Sequence, residues 1–283
     1  MKRLLIILVI LLGVLKLSAQ EDKVLSFPRL HWGFSAGGGT YSYIMKGADL
    51  SISNKPSYTG NVFLELKFKK WIGIEVGGAY SLVSSTINIA NYSKTYENVK
   101  DDEGDVLNLK LGASQINEKL NATLIEIPIS LRFEWNPGKW TLYVKPGVAY
   151  SIVSSSTYNQ EGVYTRTGYY PAYGITFNKL ASHGFYSDLY HSQSGNEKLK
   201  LKNSINPFIG FGVICPGTSG RFFIEGKYYP GSINFANSAT DVKPFDGAGF
   251  VSMPTDYKYP SATLLSDKIG FGGIMVQIGF RFR

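Results

Sequence analysis

Thr123-Leu124-Ile125-Glu126-Ile127-Pro128-Ile129-Ser130-Leu131-Arg132-Phe133-Glu134-Trp135 divides by parity. From Ile125 to Trp135 every odd position is apolar, while the even ones are Glu126, Pro128, Ser130, Arg132 and Glu134. Successive side chains of a strand point to opposite faces, so this segment reads as a β-strand with one oily and one polar side. After Asn136-Pro137-Gly138-Lys139 the alternation resumes. Trp140, Leu142, Val144, Pro146, Val148, Tyr150 and Ile152 oppose Thr141, Tyr143, Lys145, Gly147, Ala149 and Ser151. Two such runs joined by a short Pro-Gly turn make a β-hairpin.

The same period extends in both directions. Val62, Leu64, Leu66 and Phe68 oppose Glu65, Lys67 and Lys69; Ile72, Ile74, Val76, Tyr80 and Leu82 oppose Gly73, Glu75, Gly77, Ala79 and Ser81. Phe222, Ile224 and Tyr228 oppose Arg221, Glu225 and Lys227, and the chain closes with Ile274, Val276, Ile278, Phe280 and Phe282 against Gln277, Gly279, Arg281 and Arg283. Gly-rich, aromatic-flanked segments at Trp32–Tyr43 and Ile205–Ile214 bring the total to eight strands.

Alternation alone fits a soluble barrel or sandwich with its oily face inward as well as a membrane barrel with that face outward. Connection lengths separate the two. Lys70-Trp71, Asn136 to Lys139 and Gly217-Thr218-Ser219 are tight turns, whereas Ile44–Pro56, Ser85–Asn121, Ser154–Asn203 and Gly231–Lys268 are long. Short and long connections alternate, as in barrels with short periplasmic turns and long extracellular loops. The expected fold is therefore all-β: an eight-stranded antiparallel up-and-down transmembrane β-barrel. In that orientation Trp32, Trp71, Trp135 and Trp140 share one rim as an interface aromatic girdle.

Eight strands enclose a space just wide enough for side chains. The polar faces place Glu65, Lys67, Glu75, Glu126, Arg132, Lys145, Glu225, Lys227 and Arg281 inside it. Charges withdrawn from water need partners, so a lumen charge network that plugs the barrel is expected.

Met1-Lys2-Arg3, the aliphatic run Leu4–Leu15 and Leu17-Ser18-Ala19 have the order of a secretory signal peptide cleaved after Ala19. Residues 20–283 are then one barrel domain, exported to a cell outer membrane. Three of the 29 Lys and Arg precede the cleavage point, leaving 26 against 21 acids. That mild excess, with no long basic run, does not suggest a nucleic-acid partner. A single cysteine, Cys215, excludes a disulfide scaffold and a four-thiolate metal site.

Leu124 to Phe133, followed across the turn by Tyr143 to Ser151, resembles the central hairpin of the PorT-like outer-membrane β-barrel family. Gly226-Lys227-Tyr228-Tyr229-Pro230-Gly231-Ser232-Ile233-Asn234 looks like that family's seventh strand, and Val276 to Arg283 is similar to its closing strand. The resemblance spans strands two to eight. It implies an eight-stranded barrel in a Gram-negative outer membrane, lipid and barrel-insertion machinery as partners, and, through the namesake, association with a secretion and gliding apparatus. It brings no catalytic residues and no cofactor. Here the chain ends in Arg283 rather than in an aromatic, and the third loop is long for the family.

That loop carries Tyr164, Tyr169, Tyr170, Tyr173, Tyr186 and Tyr190. Tyrosine-rich loops suit docking of a protein or glycan; equally, these rings can pack as a cap over the barrel mouth. Lys198, Lys200 and Lys202 read as an upward extension of the sixth strand toward lipid phosphates. Ser182, His183, Asp188 and His191 are the candidates for an outer-membrane enzyme acting on lipid or protein, and solvated loop polars are the plainer reading. No metal site is expected. The function expected is a non-enzymatic membrane anchor or surface-interaction barrel, with the enzyme and a soluble secreted barrel holding an apolar ligand as alternatives.

Overall fold

The computed structural model describes residues 29–46, 50–101, 103–180, 184–199, 201–217, 220–232 and 268–282. The segment to Ala19 and most of 231–268 lie outside them. Eight strands form a closed antiparallel ring. They are β1 (Arg29–Gly39), β4 (Ser57–Lys69), β5 (Ile72–Lys100), β6 (Val106–Trp135), β7 (Thr141–Tyr170), β10 (Ser204–Ile214), β11 (Gly220–Tyr229) and β12 (Lys268–Phe282). β12 closes the ring against β1, from Trp32 opposite Phe282 to Gly39 opposite Met275. Four further strands attach to it: β2 (Ser42–Lys46) on β12, β3 (Leu50–Asn54) on β5, and β8 (Ile175–Phe177) and β9 (Tyr186–Lys198) on β7.

Register fixes the shape of the ring. Followed from Leu30 through Leu66, Ile74, Leu131, Pro146, Ile209, Tyr228 and Ile274, the row returns to β1 at Thr40, ten residues beyond its start. With eight strands that stagger gives a tilt of about 41°, a vertical rise of about 2.5 Å per residue, and a climb of about 3 Å per strand along each row.

The ring is inside out relative to a soluble barrel. Ile129, Leu131 and Ile278 are exposed at 41%, 43% and 54%, whereas Glu126, Arg132, Lys145 and Arg281 are buried. No described helix is long and apolar enough to cross a membrane, so any crossing is made by strands.

Three expectations about strand limits change. The first strand is not continuous: β1 stops at Gly39, and β2 resumes along β12 after Thr40 and Tyr41. Opposite that break Gly273 has φ 135°, and a Cβ there would lie 2.3 Å from the Thr40 carbonyl oxygen. Only glycine lets the backbones approach so closely. Second, Ser85–Asn121 is not a loop. β5 runs unbroken to Lys100, Asp101–Asp105 turns the chain, and β6 begins at Val106. Third, β7 continues to Tyr170, and β9 pairs back on it, ending with Lys198 opposite Thr157. Lys198 thus belongs to β9 rather than to an upward extension of β10. Lys202 is exposed before β10, and Lys200 is outside the described residues.

In these upper extensions the pattern reverses. Val83, Ile87, Ile89, Leu120 and Leu124 are buried, while Ser84, Thr86, Lys119 and Asn121 face outward. On β7 the change passes through a bulge. Thr123 faces Ser155 and Leu124 faces Val153, so Ser154 is an extra residue. Below it the buried positions are odd, ending at Ser151; above it they are even, from Ser156 through Tyr158 to Tyr170. One inserted residue exchanges the two faces of a strand.

Candidate functional site

The interior of the ring holds one connected set of charges. Arg132 on β6 is fully buried, with Glu75 at 2.8 Å, Glu65 at 3.4 Å, Glu134 at 3.8 Å and Glu225 at 4.0 Å. Lys145 on β7 bridges Glu75 at 2.9 Å and Glu225 at 2.7 Å. Arg281 on β12 joins Glu65 at 2.8 Å to Glu134 at 2.9 Å. Lys227 meets Glu225 at 3.3 Å, and Lys67 pairs with Glu134. A charge taken from water is tolerated only with such compensation, because the desolvation cost is several kcal/mol per ion.

Aromatic groups complete the seat of Arg132. Its guanidinium lies 4.2 Å from the Tyr143 ring centre and 5.8 Å from that of Phe63, a cation–π arrangement. The Tyr143 hydroxyl donates to Glu225 at 2.8 Å. Gly212 on the adjacent strand permits this placement, since a Cβ there would come within 2.2 Å of the Tyr143 ring.

Eight of the nine residues expected in the network take part in ion pairs. Glu126 is held differently: it accepts from Tyr41 at 3.2 Å, Ser81 at 2.7 Å and Ser151 at 2.8 Å. Asn206 in turn donates to Tyr41 and Ser151 at 3.1 and 2.6 Å. Glu134 is a network member that the sequence reading left among the polar-face residues without assigning it to the lumen. It shares the parity of Arg132, but only the ring tilt brings it level with Lys67 and Arg281. Above Glu126 the interior is filled by rings, with Tyr41 4.6 Å from Tyr229, Tyr43 4.8 Å from Phe271 and Phe208 5.6 Å from Tyr229.

Outside the ring, Trp32, Trp71, Trp135 and Trp140 are all exposed at the end with the tight turns. Trp32 stacks on Phe282 at 4.5 Å and Trp71 on Phe133 at 6.3 Å. A second belt was not foreseen. On the tilted lattice, the exposed Tyr58, Tyr80, Tyr150 and Tyr228 come to one height, roughly 20 Å above the tryptophans. That separation is close to the roughly 25 Å apolar band of an outer-membrane barrel.

The upper-loop tyrosines separate into two groups. Tyr164 and Tyr170 are buried and Tyr186 is half-buried, while Tyr169, Tyr173 and Tyr190 are exposed. Tyr164 donates to Gln160 at 2.8 Å, and Gln160 to the buried Glu118 at 2.7 Å. Tyr170 packs with Leu107, Leu109 and Phe185 and donates to Asp101 at 3.0 Å. Its burial and that hydrogen bond push its pKa up to about 12. Tyr173 donates to Asp105 at 3.1 Å from the surface.

For chemistry, Ser182 and His183 lie outside the described residues, as does the His191 side chain, and Asp188 is exposed. His31 is buried in the ring, its Nδ1 3.2 Å from the Phe282 carbonyl oxygen. Cys215 is half-buried at the end of β10. Among the described residues no three His, Cys, Asp or Glu side chains are grouped as metal ligands would be.

A closed eight-stranded ring with charges within, aliphatic side chains without and an aromatic belt at each rim is a transmembrane β-barrel of the outer-membrane type. Residues 18–237 match the family described as outer membrane protein beta-barrel domain, and the chain belongs to it. It is an outer-membrane protein in contact with lipid. None of the curated proteins matches the chain in sequence. Among solved structures, the attachment invasion locus protein Ail of Yersinia pestis is similar, with 10% identity over 89% of this chain and 98% of that one, and a TM-score of 0.32. Neisserial surface protein A matches at 9% identity over 89% and 95%, with a TM-score of 0.34. The translocator domain of the autotransporter NalP from Neisseria meningitidis matches at 11% over 96% and 94%, with a TM-score of 0.26.

Proposed function

We propose that this chain is a non-enzymatic outer-membrane barrel with a plugged lumen that anchors an extracellular β-sheet as a surface-interaction module. The observation that carries this reading is the division of labour along β5, β6 and β7. Their lower halves bury interlocked ion pairs, which supports a plugged lumen, and their upper halves continue into a sheet with a buried apolar side. Partners are then met outside the membrane, as protein or glycan. The finer assignment is to the PorT-like group, with export by a signal peptide cleaved after Ala19, delivery by the barrel-insertion machinery and service in a secretion or gliding-type assembly. Its support is the central hairpin and closing-strand motifs.

The test combines reconstitution with capture. The purified barrel, showing heat-modifiable gel mobility, is expected to give no stepwise conductance in planar bilayers and to retain partners after mild detergent extraction of intact cells. Discrete conductance steps would refute the plug. Unchanged partner recovery after removal of residues 86–119 would refute the surface module.

A further inference from the structure

We propose that the outer wall of the extracellular sheet carries a binding groove for an uncharged saccharide, an inference that rests on reading this sheet as extracellular. Ser51 of β3, Asn88 and Asn91 of β5, and Ser114 and Gln115 of β6 line a concave site of about 640 Å³, within the range of small-ligand pockets. Ala90 contributes an exposed methyl between them, while the buried Ile89 offers only its backbone.

The groove originates in a backbone irregularity. Asn91 takes a left-handed conformation with φ 54°, which costs an ordinary residue energy and is best tolerated by asparagine. Beside it, Ala113 faces Tyr164 while Gln115 faces Val163, so Ser114 is an extra residue relative to β7. Bulges of this kind re-aim side chains. Here they leave Asn91, Ser114 and Gln115 exposed side by side.

Four other amides of the upper structure are hydrogen-bonded within the protein. Asn121 accepts from Ser84 at 2.8 Å, Asn117 donates to Glu161 at 3.2 Å, Asn159 donates to Asn196 at 2.8 Å, and Asn203 donates to Tyr150 at 3.1 Å. The side chains of Asn88, Asn91, Ser114 and Gln115 make no hydrogen bond to protein among the described residues. Each amide offers a donor and an acceptor side by side, the complement of neighbouring hydroxyls on a sugar ring. The exposed Ala90 methyl suits the ring's C–H face. None of the described lining residues is charged, so a sulfated or phosphorylated ligand meets no counter-charge among them.

Position favours the same ligand class. Asn88 lies eight residues beyond Tyr80 on β5, about 20 Å above the upper aromatic belt at the ring's tilt. The groove opens sideways at the height where saccharide chains of surrounding glycolipids stand, and on the same lattice row Gln115 faces Val163, which faces the exposed Tyr190.

The test uses the full-length protein in nanodiscs. The probes are unsubstituted hexose and N-acetylhexosamine oligomers, their sulfated counterparts, and saccharide released by mild acid from the cell's own outer-leaflet glycolipid. Neutral saccharide is expected to bind, and the released-saccharide arm identifies whether the source is the cell's own envelope. Asn91→Gly, which keeps the left-handed backbone, combined with Gln115→Ala, is expected to weaken binding about ten-fold or more, with circular dichroism and melting unchanged. Binding of sulfated probes alone, no neutral binding, or binding indifferent to the variants overturns the inference. A Ser114→Cys substitution in a Cys215→Ser background separates the two readings on intact cells. Labelling by an impermeant maleimide without saccharide binding defeats the groove alone; labelling only after lysis defeats the extracellular placement.

Discussion

The lower and upper halves of β5 and β6 obey opposite rules with the same backbone. Below Leu82 and Ile125, Val76, Tyr80, Ile129 and Leu131 face out while Glu75, Glu126 and Arg132 face in. Above, Ser84, Thr86, Lys119 and Asn121 face out while Val83, Ile87 and Leu120 are buried. A strand specifies two faces; the medium on each side decides which residues each face takes. Where hydrocarbon surrounds the ring, burying charge together is the stable choice, because each partnerless ion in lipid costs kilocalories. Where water surrounds the sheet, the ordinary hydrophobic order returns.

Deleting Ser154 attacks this contrast most directly. Every buried residue of β7 from Tyr158 to Tyr170 would turn outward, so the upper sheet should be lost while the ring persists. The expected result is retained heat-modifiable mobility with new proteolysis between residues 155 and 199; an intact, protease-resistant sheet would disprove the parity argument. Next in size is Arg132→Ala. It removes the one cation that reaches all four of Glu65, Glu75, Glu134 and Glu225 at the centre of the ring, and removing one partner of a buried pair costs about 3–5 kcal/mol. Urea unfolding in lipid vesicles measures it, and a change below about 1 kcal/mol would mean the ion pairs are not stabilised by their burial. The finest comparison places one charge in both media. Ile278→Arg, mid-band and outward, should cost about 2–4 kcal/mol. Asn121→Arg, outward above the belt, should fall within about 0.5 kcal/mol of zero. Equal costs would remove the membrane from the explanation.

Much of the lower half was legible because its signal is local. Period two in residues 123–135 and 140–152 sorts side chains without reference to any other strand, and the charges Glu75, Arg132, Lys145 and Arg281 fall out of that sorting. Strand extent was legible only in the ring. Beyond Ser84 and Ser154 the outward face becomes Ser, Thr, Asn and Lys, which on paper resembles a loop, and the bulge at Ser154 breaks the phase that a reader would need to continue. Glu134 and the phenols of Tyr41 and Tyr143 escaped for a different reason. Their partners are 67 to 147 residues away along the chain or, for the phenols, on strands that only closure brings near.

Sequence alone thus determined which residues alternate, how many ring strands there are and that the tight turns share one rim, since each depends only on neighbours in the chain. Tertiary structure decided the ten-residue stagger, and with it the tilt that levels Tyr58, Tyr80, Tyr150 and Tyr228 into a belt and Glu134 with Arg281. It also decided where lipid-facing wall gives way to a watered sheet. Both outcomes are set by closing the ring, and closure is a condition on all eight strands at once, which no single segment can express.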